Sequence, residues 1–121
     1  MEVFSKTSLK EIKINVYIEI HSIDLHISHL MEVARLKEKI TEEKLVKAVK
    51  QVGGICPKFV SPGFDGMPDR LVLLPFGKIA FVEVKAPNKK PRPLQMARHR
   101  LLQRLGFQVY VLDDPQQIGG I

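Results

Sequence analysis

The stretch from Gly66 to Lys85, GMPDRLVLLPFGKIAFVEVK, decides the fold, because it holds two apolar strands joined by a turn and carries charged residues at its open end. The turn is Pro75-Phe76-Gly77. A three-residue loop with its glycine in the left-handed conformation would pair Leu74 with Lys78 across the two strands. The sequence therefore predicts a β-hairpin with a defined register.

Two carboxylates and one amine meet at the open end of this predicted hairpin. The register puts Asp69 opposite Glu83, with Cβ atoms about 5 Å apart. Lys85 lies two residues beyond Glu83, so the period of two in a strand places it on the same face. Two carboxylates this close repel each other unless a cation sits between them, and oxygen ligands with room for water suit Mg²⁺ or Mn²⁺. The hairpin therefore predicts a metal-dependent active site.

The composition favours a polyanionic partner. The chain has 121 residues, enough for one domain, and a formal net charge of +6. An anionic membrane surface would also attract this charge, but no apolar run approaches the roughly 20 residues of a membrane span and no signal peptide precedes the fold. Nucleic acid is therefore the expected partner, with no membrane. The single cysteine, Cys56, excludes an internal disulfide and fits a reducing compartment such as the cytoplasm.

The rest of the domain alternates helices and strands. Thr41 is a candidate cap for a helix that runs to about Val52, and the pair Gly53-Gly54 ends it. The spacing of apolar residues predicts a second helix from Leu94 to Leu105. Further strands are expected at 55–60 and 107–112, and a loop at 61–66. The predicted order is α-β-β-β-α-β, which is an α/β fold of the α+β type with a mixed sheet flanked by helices.

The first 30 residues differ in kind from the remainder. Apolar residues alternate with polar ones from Ile12 to Ile20 and resume the alternation one step out of phase from Ile23 to Ile27, which predicts a bulged long strand or a tight hairpin. We therefore divide the chain into a β-rich N-terminal extension, 1–30, and a domain, 31–121. Met31 would serve as a translation start, and our hypothesis is that residues 1–30 are dispensable for function.

The motifs together resemble one nuclease family. A helix glutamate, Gly66-Met67-Pro68-Asp69 after a loop rich in glycine and proline, Glu83-Val84-Lys85 one hairpin later, and Gln95 at the start of a helix are similar to the VRR-NUC family of the PD-(D/E)XK nuclease superfamily. Each motif alone is weak, but their conjunction is specific and covers about residues 42–113. The resemblance implies a restriction-endonuclease-like fold and a metal-dependent phosphodiester hydrolase.

The resemblance also implies roles for individual residues. Asp69, Glu83 and the backbone carbonyl of Val84 correspond to metal ligands, and Lys85 to the group that orients or deprotonates the attacking water and offsets charge on the phosphate. Glu43 corresponds to the acid of the first helix, which ligates a second metal or its water, although the adjacent Glu42 leaves this register open. Gln95 corresponds to the glutamine that positions water, metal or the lysine.

Basic residues near Lys85 are candidates for DNA binding. Lys89, Lys90, Arg92 and Arg98 follow the hairpin and enter the next helix, where phosphate contacts are expected. No base-reading module is recognisable, so we expect recognition of DNA structure, with branched or four-way junctions as substrate. A junction resolvase needs two sites to cut both strands, so we expect a homodimer in a bacterial or phage-infected cell. The alternatives are a flap, nick or single-strand nuclease in a repair or replication complex, and a non-catalytic DNA-binding module.

Overall fold

The fold is a mixed α+β arrangement of helices around a mixed sheet, as the sequence predicted, but the sheet has three strands where four were expected. The computed structural model describes residues 8–121. In chain order the elements are α1 (Leu9–Gln51), β1 (Arg70–Leu74), β2 (Lys78–Val84), α2 (Pro93–Arg104) and β3 (Gln108–Leu112), with short 3-10 helices at Pro75–Gly77 and Pro115–Gly120. Strand β2 is central, antiparallel to β1 and parallel to β3.

The hairpin register agrees with the prediction from the turn. Leu74 pairs with Lys78, and the ladder continues to Arg70 opposite Val82, so the next position along brings Asp69 toward Glu83. Gly77 has φ 72° as expected, but Phe76 is also left-handed, with φ 67°. The turn therefore contains two consecutive residues in a region that favours glycine.

The strand predicted at 55–60 is reduced to two isolated bridges beside β1, Ile55 with Leu73 and Lys58 with Arg70. Four backbone hydrogen bonds still join the segment to the β1 side, and one of them is accepted by the carbonyl of Pro57. Proline has no N–H to donate, so a regular ladder cannot continue through this position. The segment covers the edge of β1 without forming a full strand.

The prediction of a β-rich N-terminal extension at 1–30 is wrong for its described part, because residues 9–30 belong to α1, and residues 1–7 lie outside the described residues. The helix begins at Leu9 and runs without interruption through the range in which we expected a strand or hairpin. Thr41 is not its cap: this side chain is 2% exposed, and its hydroxyl donates to the carbonyl of Lys37 within the helix. The alternation from Ile12 to Ile20 coexists with apolar residues three and four apart, and neither glycine nor proline occurs before Gly53. Nothing in the sequence therefore stops a helix over this range.

The chain divides into two compact units after Val33. In the first, the described side chains from Ser8 to Glu32 are all exposed. In the second, Leu45 and Val49 of α1 pack against Val72 and Val82 on one face of the sheet. The opposite face carries an edge-to-face aromatic cluster of Phe59, Phe81 and Phe107. No helix within residues 8–121 has the length and apolarity required to cross a bilayer.

Candidate active site

Asp69 and Glu83 meet at the open end of the hairpin. Asp69 directly precedes β1 and is exposed, whereas Glu83 lies in β2 and is 1% exposed. The Oδ2 atom of Asp69 accepts a hydrogen bond of 3.2 Å from the backbone N–H of Val84, which ties the start of β1 to the end of β2. The site thus joins one accessible carboxylate to one buried carboxylate.

The two oxygen atoms of Glu83 have different surroundings. Oε1 lies 3.5 Å from Nζ of Lys85 and accepts a hydrogen bond of 3.2 Å from Nε2 of Gln95. Oε2 is buried and has no hydrogen-bond partner among the described residues. A buried carboxylate oxygen without a partner is costly, and such atoms are common at functional sites.

Burial raises the pKa of Glu83 to about 7, and the neighbouring Asp69 contributes to the rise while Lys85 opposes it. The physical causes are the loss of hydration of the charged form and the repulsion between two carboxylates. Near neutral pH, Glu83 is therefore close to the midpoint of its titration in the metal-free protein.

Hydrogen bonds to the oxygen and the nitrogen of the Gln95 side-chain amide fix its orientation. Its Oε1 accepts a hydrogen bond of 2.8 Å from the backbone N–H of Arg92 at the start of α2. The amide nitrogen therefore points to Glu83, where a donor suits the carboxylate. The structure places this predicted residue directly in the site, 6% exposed, in contact with Glu83.

His99 is a site residue that our sequence interpretation did not include among the candidates. It is 7% exposed, and its Nε2 lies 3.9 Å from Oε2 of Glu83, with no hydrogen-bond partner for either atom. Burial lowers the pKa of His99, with Lys85 adding to the effect and Asp69 opposing it. The available signal was its spacing of four residues from Gln95, which puts both on one face of α2.

The loop before Asp69 packs closely against α2 at Gly66. Gly66 has φ +90°, and a Cβ atom there would lie 2.9 Å from Cγ of Leu94 and 3.1 Å from Cγ of Arg98. Arg98 also donates a hydrogen bond of 2.8 Å to the carbonyl of Asp65, and its guanidinium lies 3.8 Å from the ring centroid of Phe64. This predicted DNA-binding arginine therefore holds the loop in place, and its contacts are within the protein.

Glu42 and Glu43 of α1, the two candidates for the helix acid, have different surroundings from Asp69 and Glu83. Glu42 forms an ion pair of 2.7 Å with Arg70, while Glu43 is exposed. Within residues 8–121, no group of three or more His, Cys, Asp or Glu side chains is spaced to hold a metal ion. Neither glutamate therefore joins Asp69 and Glu83 in such a group, and the role expected for Glu43 stays a prediction.

The remaining candidates for DNA binding lie on the loop after β2. Lys89, Lys90 and Arg92 are exposed, and the segment leads from the buried Lys85 to the start of α2. Their positions leave the side chains accessible to a ligand.

The donor set fits a hard divalent cation. Asp69 and Glu83 supply carboxylate oxygens, and the buried Oε2 of Glu83 has no partner from the described residues. A cation at this point would remove the repulsion that raises the Glu83 pKa. Mg²⁺ takes few protein ligands and keeps several waters, so two carboxylates and the Val84 carbonyl are a sufficient protein contribution.

Comparison with known proteins identifies the family. The family model of the VRR-NUC domain matches residues 12–114 of this chain. "Putative nuclease p44" of Acyrthosiphon pisum secondary endosymbiont phage 1 is 56% identical over 78 residues, covering 64% of this chain and 84% of the phage protein. A solved VRR-NUC domain is 35% identical with a TM-score of 0.67, covering 69% of this chain and 91% of that structure. The chain therefore belongs to the VRR-NUC family of nucleases, which have the restriction-endonuclease-like fold.

Proposed function

We propose that this nuclease is a divalent-metal-dependent, structure-selective DNA endonuclease that acts as a homodimer on four-way junctions. The observation that carries the proposal is the hairpin end, where Asp69 and the buried Glu83 adjoin Lys85, with one Glu83 oxygen lacking a partner. The formal charge of +6 supports a polyanionic substrate. The similarity to a phage protein supports action in a bacterial or phage-infected cytoplasm.

Each site residue has a chemical task in this proposal. Asp69, Glu83 and the Val84 carbonyl would hold Mg²⁺ or Mn²⁺, which supplies charge stabilisation for the attacking and leaving oxygens of an in-line displacement. Lys85 would orient or deprotonate the attacking water and offset the charge that develops on the phosphate. Gln95 donates to Glu83 and keeps its carboxylate in place.

We propose a dimer because a four-way junction must be cut in two strands, which requires two active sites. The described residues contain one such pair of carboxylates across the hairpin, so paired incisions need two copies of the chain. A four-way junction is two-fold symmetric in its arms, and a symmetric pair of sites matches it.

A cleavage assay tests the metal-dependent nuclease. Labelled four-way junction, flap, nicked duplex, linear duplex and single strand are incubated with Mg²⁺, Mn²⁺ or EDTA. Cleavage should require the metal and favour the junction, and Asp69→Ala should abolish it. The matched control is Asp65→Ala, an exposed acid of the preceding loop whose backbone carbonyl, retained in the variant, accepts from Arg98. Full activity of Asp69→Ala, or activity in EDTA, would contradict the site.

A cruciform plasmid tests the paired incision. A homodimer that cuts both strands in one encounter should yield linear plasmid directly. Nicked circles as the end product, or faster cleavage of flaps than of junctions, would instead support a flap or nick nuclease. Binding without cleavage of any substrate would support a non-catalytic DNA-binding module.

A further inference from the structure

A second basic surface lies apart from the loop that follows Lys85. It is a groove of about 530 Å³ formed by the C-terminal half of α1, the segment beside β1 and Arg70. We call it the α1 groove. Its lining residues are Lys39, Glu42, Glu43, Val46, Lys47, Lys50, Lys58 and Arg70. Five of these side chains are cationic and two are carboxylates.

The cationic side chains of the α1 groove outnumber its carboxylates by five to two. Arg70 neutralises Glu42 through contacts of 2.7 Å and 2.8 Å, and it also donates to the carbonyl of Cys56. In the part of the chain that the structure describes, none of the four lysines forms an ion pair with a carboxylate. Clustered cations repel one another, and a polyanion in the groove would relieve that repulsion.

The α1 groove meets the active site at the start of β1. Consecutive residues of a strand point to opposite faces of the sheet. Arg70 therefore reaches α1 on one face, while the adjacent Asp69 reaches Val84 and Glu83 at the site. The groove and the site therefore begin at adjacent backbone positions and open on opposite faces of the sheet.

The dimensions and the lining of the groove suit a duplex. Lys39 and Lys50 are eleven residues apart on a helix, which corresponds to about 16 Å, or roughly five base pairs of duplex. Proteins that bind single strands stack the bases on aromatic side chains. Among the described residues, no aromatic side chain lines this groove, and Val46 is the sole apolar one. Cations without stacking platforms fit the phosphate backbone of a double strand.

We infer that the α1 groove binds the phosphate backbone of a duplex DNA arm outside the active site. This inference rests on the proposed action on DNA. It assigns the groove lysines, Lys39, Lys47, Lys50 and Lys58, to the arm, and the loop with Lys89, Lys90 and Arg92 to a separate contact. Recognition here is of backbone charge, so it is independent of base sequence.

Two triple variants of equal charge test the inference. The groove variant combines Lys47→Ala, Lys50→Ala and Lys58→Ala. The control variant combines Lys13→Ala, Lys44→Ala and Lys78→Ala, which are exposed lysines outside the groove. Both variants remove three units from the formal charge of +6, so a general electrostatic effect is the same in both.

Binding is measured in EDTA, with duplex and single-stranded DNA of equal length, over a range of salt concentrations. The groove variant should bind duplex roughly tenfold or more weakly than the control variant, and its salt slope should decrease by up to about 2.7, or 0.9 for each lost phosphate contact. Its affinity for the single strand should match that of the control.

The outcomes separate this inference from the proposed function. Equal duplex affinity of the two variants overturns the groove assignment, whether or not the protein cleaves DNA. An equal loss for duplex and single strand overturns the duplex assignment, and tighter binding of duplex RNA than of duplex DNA overturns the choice of DNA. If the wild-type protein cleaves nothing, the proposed endonuclease fails, while the binding comparison in EDTA still decides the groove.

Discussion

Glu83 contacts groups that favour opposite charge states. Gln95 and Lys85 present donors to Oε1 and favour the carboxylate, whereas burial and the adjacent Asp69 favour the protonated acid. The balance raises its pKa from 4.5 to about 7. A cation would shift it toward the carboxylate, so metal binding should release protons near neutral pH.

The raised pKa predicts an unusual pH dependence of stability in the metal-free protein. A carboxyl whose folded pKa exceeds its unfolded value contributes stability below the unfolded pKa, and that stability is lost as the pH rises through the folded pKa. Relative to Glu83→Gln, the free energy of unfolding of the wild type should fall between pH 4.5 and about 7, by on the order of 3 kcal/mol. Urea unfolding of both proteins in EDTA at pH 5 and pH 8 measures this difference. Parallel pH profiles of the two proteins would show that Glu83 does not titrate in this range.

Lys85 should act on turnover and have little effect on binding. It is 9% exposed and lies beside Glu83, so a loosely bound duplex has limited access to it. Lys85→Ala should lower the single-turnover rate by roughly 10² to 10⁴ with little change in DNA affinity. Lys78→Ala, an exposed lysine at the other end of β2, is the control. A normal single-turnover rate with weakened affinity would reassign Lys85 to phosphate binding.

At the scale of elements, the loop 61–66 and α2 are held together by a close approach at Gly66. Gly66→Ala combines a strained φ with a Cβ at 2.9 Å from Leu94, whereas Gly63→Ala has φ +76° and no atom within 4 Å of its Cβ. The control should lose about 1 kcal/mol from backbone strain alone, and Gly66→Ala about 1 to 3 kcal/mol more from overpacking. Urea midpoints measure both variants. Equal losses would show that the loop moves freely relative to α2.

The N-terminal half of α1 should be separable from the domain. Thr41, Leu45 and Val49, which are its buried residues, all lie after Met31, and the described side chains before Val33 are exposed. A chain starting at Met31 should therefore unfold cooperatively in urea, although it loses the helical signal of Leu9–Leu30 from its circular dichroism spectrum, and it should cleave with the metal dependence of the full chain. The same measurements on the full chain provide the reference. An unfolded or inactive truncation would show that the range from Ile12 to Ile27 is needed for the domain or for pairing of two copies.

The hairpin and α2 were predictable because local rules determine them. The loop length sets the register that brings Asp69 toward Glu83, and the period of two assigns the faces. Helical spacing and the stop at Gly106 located α2, and the family motif located Gln95 within it. Each of these features is determined by residues close to one another in the sequence.

The sequence predictions were wrong or incomplete where two local patterns competed, or where tertiary contacts determine the conformation or burial of a residue. The alternation from Ile12 to Ile20 outweighed, in our interpretation, the absence of any helix breaker before Gly53. Thr41 resembled a cap, yet in the middle of a helix its hydroxyl donates to the backbone of the preceding turn. The burial of His99 depends on which face of α2 packs against β2, and the composition of that helix does not reveal it.

At the scale of the whole molecule, the positive charge is confined to the second part of the sequence. From Met31 onward there are 16 lysines and arginines against 9 acids, while the first 30 residues carry 3 and 4 respectively. Four lysines line the α1 groove, namely Lys39, Lys47, Lys50 and Lys58, and Lys89, Lys90 and Arg92 lie on the loop before α2. The electrostatic attraction for a polyanion therefore comes from the part of the chain that contains the active site.

The hairpin tip affects how the whole molecule responds to heat. Phe76 has φ 67° and is 99% exposed, so its backbone is strained and its side chain packs against nothing in the described chain. Asparagine tolerates this conformation better, so Phe76→Asn should stabilise the fold by about 0.5 to 1 kcal/mol and raise the melting temperature by a few degrees. Lys78→Asn, exposed and with φ −77°, should give no such gain. Calorimetry of both variants measures the shift, and an unchanged or lower melting temperature for Phe76→Asn would show that the phenyl ring has a stabilising contact. A more heat-resistant nuclease is thus accessible through a single residue at the opposite end of the hairpin from the carboxylates.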